Sequence, residues 1–142
     1  MTELPTKQPA VSMEPHVLVV DDHELRREWA KRALAGRGLK VVATSSTHRG
    51  IGYLRQVQFD AVVLSTHLRG MGAKEFQEKV HQLYPRTPVV VVEFPWPGGR
   101  NVTTLSPGAY HLLVLCAQDR EAALQTMVEK ALARQAEKAK DA

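Results

Sequence analysis

One cysteine, Cys116, stands in a chain of 142 residues, so no disulfide can form within it, and no Cys/His cluster has the spacing of zinc ligands. Aromatic residues are few, at 6%. No hydrophobic run approaches the length of a membrane span, and Met1 to Pro15 lacks the apolar centre of a signal peptide. There is no Gly-x-x-x-x-Gly-Lys loop, and no Gly-x-Gly-x-x-Gly follows the first apolar run, which disfavours nucleotide hydrolysis and dinucleotide binding. Charge of one sign is also limited, since the formal net charge is only +4. What is present is a globular composition, 44% hydrophobic and 24% charged, with enough chain for one core that needs no staples. A cytoplasmic protein is the expectation.

Residues 1–15 carry three prolines and no hydrophobic period, and read as a flexible tail. From His16 the pattern changes. Short, β-branched, nearly continuous apolar runs recur at His16–Val20, Lys40–Ala43, Asp60–Ser65, Pro88–Val92 and Tyr110–Leu115. Each is bounded by turn residues, as strands covered on both faces are. Helical stripes lie between them: Leu25, Trp29, Ala30, Ala33 and Leu34; then Ile51, Leu54 and Val57; then Phe76, Val80, Leu83 and Tyr84. A last stripe, Leu124, Met127, Val128, Ala131 and Leu132, has Asp119 as its expected cap. Between Phe94 and Pro107, three prolines and two glycines leave room only for a short helical turn at Arg100 to Leu105. The alternation specifies a parallel α/β sheet with helices on both faces, over residues 16–134, followed by a helix end or tail at 135–142. In such sheets chemistry sits beyond the carboxyl ends of the strands.

There the first run delivers Asp21 and Asp22. Adjacent carboxylates need compensation, from a divalent ion such as magnesium, or else one caps the next helix while the other is solvated. Both readings stay open. Ser65 ends the third run without a Gly-x-Ser-x-Gly elbow, and its offset of two from His67 does not support a nucleophile–base pair. Cys116 lacks a cationic neighbour in sequence and reads as a small buried filler. Arg26, Arg27, Lys31, Arg32, Arg37 and Lys40 form a basic cluster, read either as a solvated helix face or as a docking surface for an acidic partner or nucleic acid.

The segments His16-Val-Leu-Val-Val-Asp-Asp-His-Glu-Leu-Arg-Arg27 and Phe59-Asp-Ala-Val-Val-Leu-Ser-Thr-His-Leu-Arg-Gly-Met71, with Pro88–Val92 and Ser106-Pro-Gly-Ala-Tyr110, resemble the receiver domain of bacterial two-component response regulators. The resemblance implies a flavodoxin-like, doubly wound five-stranded sheet of order 2-1-3-4-5. It also implies a pocket in which an acidic pair, here Asp21 and Asp22, holds magnesium beside an aspartate that accepts a phosphoryl group. At the acceptor position this chain has Ser65. Glu93 replaces the usual hydroxyl residue, Leu115 the lysine, Cys116 the proline after it, and Leu112 the switch aromatic. A serine with no assigned base is a poor acceptor, and three acidic groups with no lysine repel an anionic donor.

The resemblance thus implies a stand-alone pseudo-receiver, not an enzyme, acting through protein partners or a homodimer without aspartyl phosphorylation. Magnesium is expected to bind weakly or not at all. The family's interaction face maps to Trp96, His111 and Leu112, and the short stretch from Gln135 implies that output comes from a partner. Two alternatives remain: phosphorylation at Ser65 or Thr66, and a basic nucleic-acid-binding module, which no helix-turn-helix or stacking motif supports.

Overall fold

A computed structural model describes residues 14–65, 68, 72–93, 110–113 and 120–141. The strands are β1 (His16–Val20), β2 (Lys40–Thr44), β3 (Ala61–Ser65), β4 (Val89–Glu93) and β5 (Tyr110–Leu113). The helices are α1 (Glu24–Ala35), α2 (Thr47–Gln56), α3 (Ala73–Leu83) and α4 (Arg120–Asp141). Strands run parallel, as the alternation of apolar runs and helical stripes implies, and in the order β2-β1-β3-β4, as the family resemblance implies. The run expected to continue to Leu115 is described over Tyr110–Leu113, where its backbone pairs with β4 in parallel. Thr66, His67, the helical turn expected at 100–105, Trp96, Leu115, Cys116 and the Asp119 cap lie outside the described residues.

Alternation along the buried strands divides the core in two. Val17, Val19, Ala61, Val63, Val90 and Val92 face one way, against Ala30, Ala33 and Leu34 of α1 and Leu124, Val128 and Ala131 of α4. Leu18, Val20, Val62, Leu64, Val89 and Val91 face the other way, against Ile51 and Leu54 of α2 and Phe76 and Val80 of α3. Helix α2 reaches the sheet closely at Gly50, where a Cβ would meet Phe76 and Val20 at 3.3 Å. The chain leaves α1 through Gly38, whose φ of 79° is the left-handed conformation that glycine adopts without a steric penalty. On the first face, Gln125 donates from Nε2 to the Ala33 carbonyl at 2.8 Å and ties α4 to α1.

Three residues expected in the apolar stripes lie outside the core. Leu25 is 74% exposed. At 100° per residue, the buried arc of Ala30, Ala33 and Leu34 is centred about 130° from Leu25 but only about 30° from Arg26, so Arg26 takes the inward position. Val57 has left the helix, being the extended cap residue of α2, and Leu83 is the last residue of α3. Both are exposed, and they flank a cleft of about 500 Å³ between the ends of α2 and α3.

Core and stripe positions should separate cleanly in chemical denaturation. Phe76→Ala removes a fully buried ring and should cost about 4 kcal/mol, whereas Leu25→Ala should stay within about 0.5 kcal/mol of the parent.

Candidate functional site

The carboxyl ends of β1 and β3 lie side by side, with Val20 paired to Leu64, so Asp21 and Ser65 emerge as neighbours at one edge of the sheet. Glu93, at the end of β4, follows Val92, which pairs with Ser65; its backbone joins the same edge. His111 and Leu112 of β5 pair by backbone with Val91 and Val92. Ser65 is buried, as is Asp21.

Asp21 is held from every side. Its N–H donates to the Thr44 carbonyl at 3.1 Å, which continues the β1–β2 ladder by one residue. Its Oδ1 accepts from the His23 N–H at 2.9 Å. Arg26, in the first turn of α1, then closes a two-pronged contact: Nε donates to Oδ2 and Nη2 to Oδ1, both at 3.0 Å. The paired side chains are 16% and 7% exposed, so this is a part-buried, bidentate ion pair, the strong form of the arginine–carboxylate contact. The same Nη2 lies 3.9 Å from Oδ1 of Asp22. Arg27 donates from Nη1 to the Asp21 carbonyl at 2.9 Å.

These contacts revise two readings of the sequence. The cap position of α1 falls to neither aspartate. His23 is the cap, its Nδ1 accepting from the Arg26 N–H at 3.3 Å, while Asp21 braces the turn before it. The basic cluster is not one surface either. Arg26 and Arg27 turn back onto Asp21, Arg37 pairs with Glu129 at 3.4 Å, and Lys40 with Glu14 at 3.7 Å. Arg26 is the residue that counting charges overlooked. The signal was present: positions 26, 30 and 33 share a helical face, so a charged member must meet a partner inside. Beneath the pair, between Trp29, Ser65 and Leu124, the remaining interior space is about 10 Å³, no more than one water.

A family model for the response regulator receiver domain matches residues 17–114. The chain belongs to that family. The sensory/regulatory protein RpfC of Xanthomonas campestris is 29% identical over 80 residues, which cover 54% of this chain and 11% of RpfC. This receiver therefore corresponds to only a small part of that relative. Among solved structures, the response regulator StyR is 26% identical with a TM-score of 0.75, over 90% of this chain and 64% of StyR. A CheY-like receiver domain protein from Methanospirillum hungatei shares the fold at 18% identity and a TM-score of 0.72, covering 88% of this chain and 98% of its own. Receiver domains are regulatory modules of two-component signalling, and that level of description holds for this chain.

The receiver's residues fit a magnesium ion poorly. Magnesium demands several oxygens in near-octahedral array. Here the Asp21 carboxylate is engaged by a guanidinium on both oxygens, and the neighbouring strand end offers the Ser65 hydroxyl instead of a carboxylate. Among the described residues no three His, Cys, Asp or Glu side chains are grouped to hold a metal ion. Nor is any described helix long and apolar enough to cross a membrane.

Removing one member of a part-buried ion pair strands the other, which typically costs about 3–5 kcal/mol. Asp21→Asn and Arg26→Met should each destabilise the receiver on that scale in urea unfolding. The double variant should cost less than their sum by about 1–3 kcal/mol, because the two side chains have one interaction to lose.

Proposed function

We propose that this chain is a pseudo-receiver: a receiver domain that works through protein contacts without taking up a phosphoryl group on an aspartate. The observation that carries this reading is the pairing at the strand ends. Ser65 stands buried at the end of β3, beside an acidic residue whose carboxylate is already committed to Arg26. A serine hydroxyl needs a base to become a nucleophile, and a neighbouring carboxylate held by a guanidinium is a poor one. Phosphoryl transfer relies on cations that neutralise the moving charge. The guanidinium here is taken up by Asp21, and the lysine position of the family is Leu115 in this sequence.

Partners are assigned to the edge that carries β5, with His111, Leu112 and the sequence around Trp96, by analogy with receiver relatives. A nucleic-acid partner is less favoured than the sequence allowed, because four of the six clustered cations point to acidic residues or to backbone.

Incubation with acetyl phosphate and magnesium, followed by intact-mass analysis, tests the reading. The parent chain should gain no mass, and neither should Ser65→Asp, whose added carboxylate meets Asp21 and Asp22 with no lysine at position 115. Uptake should require the triple change Ser65→Asp, Glu93→Thr and Leu115→Lys. A phosphoryl group found on Ser65 or Thr66 of the parent chain would overturn the proposal in favour of a hydroxyl-modified receiver.

A further inference from the structure

The acidic pair of this receiver has a cation of its own. Nη2 of Arg26 lies 3.0 Å from Oδ1 of Asp21 and 3.9 Å from Oδ1 of Asp22, so one guanidinium nitrogen stands between the two carboxylates. A divalent ion shared by that pair would compete with this nitrogen for the same carboxylate oxygens. We infer that Arg26 is a built-in counter-ion occupying the cation position between Asp21 and Asp22, and that the pair accepts a divalent cation only when the guanidinium is removed.

Several features make this occupation firm. The contact to Asp21 is bidentate, which fixes the plane of the guanidinium as well as its distance. Arg26 sits in the first turn of α1, where the His23 side chain receives its N–H and the buried Ala30 and Ala33 set the rotation of the helix. The helix therefore sends the Arg26 side chain back toward Asp21. Arg27 fastens the same corner by donating to the Asp21 carbonyl. An incoming magnesium ion would have to displace two charge-assisted hydrogen bonds and then tolerate a like charge a few ångströms away. Arginine, moreover, does not escape by losing its charge in proteins.

The inference deepens the pocket reading above and rests on it only for the role of the acidic pair in the family. Its test is separate from phosphoryl uptake. Magnesium chloride, and manganese chloride as a spectroscopic probe, would be titrated into the full chain and into Arg26→Met, Arg26→Gln and Arg26→Lys. Trp29, which lines the space beside Arg26, reports binding by fluorescence, and free manganese is read by electron paramagnetic resonance. The parent and Arg26→Lys should show no saturation below about 10 mM, because both keep a positive group in the pocket.

Arg26→Met and Arg26→Gln should bind manganese at least about tenfold more tightly than the parent, and magnesium should raise their melting temperatures while leaving that of the parent unchanged. Adding Asp21→Asn to either should abolish the gain. Saturation of the parent at submillimolar magnesium would overturn the inference. So would folded Arg26→Met and Arg26→Gln proteins that bind no better than the parent, or the failure of both to fold even with magnesium present. Phosphoryl uptake by the parent would sink the functional reading and leave this one standing.

Discussion

A carboxylate at the end of a strand buried on both faces has to be neutralised, and much of this structure is arranged around doing so for Asp21. Strand β1 is covered by α1 and α4 on one side and by α2 and α3 on the other, so its first residue beyond the ladder is still shielded from water. The compensating charge comes from the next helix. For Arg26 to reach back, α1 must start at once after a tight turn, and its inward face must run through Arg26, Ala30, Ala33 and Leu34. That rotation exposes Leu25 and presents small alanines to α4, which comes close enough for Gln125 to bond the Ala33 carbonyl. The ion pair and the packing of α1 against α4 thus require the same rotation of the helix.

Most of the architecture was legible in the sequence because it depends on local pattern. Runs such as Val17-Leu-Val-Val20 and Val89-Val-Val-Val92 have no polar alternation, and only strands covered on both faces satisfy them. Helix ends were less legible, since Val57 and Leu83 continue their stripes in sequence after their helices have stopped covering the core. The site was legible in its acids and not in its base. Asp21, Asp22 and Ser65 were placed at strand ends by the runs before them. Arg26 was hidden among five other basic residues, because net charge records how many cations there are and not which way they face.

The direction each cation faces also changes what the basic stretch can do. A nucleic-acid surface gains affinity from cations free to replace condensed counter-ions on phosphates. Arg26 and Arg27 bond residue 21, while Arg37 and Lys40 face Glu129 and Glu14, so the positive formal charge of the segment overstates the field it presents. The two surface pairs are partly solvated and individually weak. The pair at Asp21 is shielded on both sides and differs in kind.

A metal ion and a guanidinium neutralise the same carboxylates with opposite consequences for regulation. A metal comes and goes with its concentration, and it brings open coordination positions to which a phosphoryl oxygen can bind. A guanidinium supplied by the chain is always present and offers hydrogen-bond donors but no open coordination position. On the inference drawn above, Arg26 keeps the acidic edge of this receiver compensated whatever divalent ions surround it. Any change of state would then have to enter elsewhere, through a surface another protein can touch.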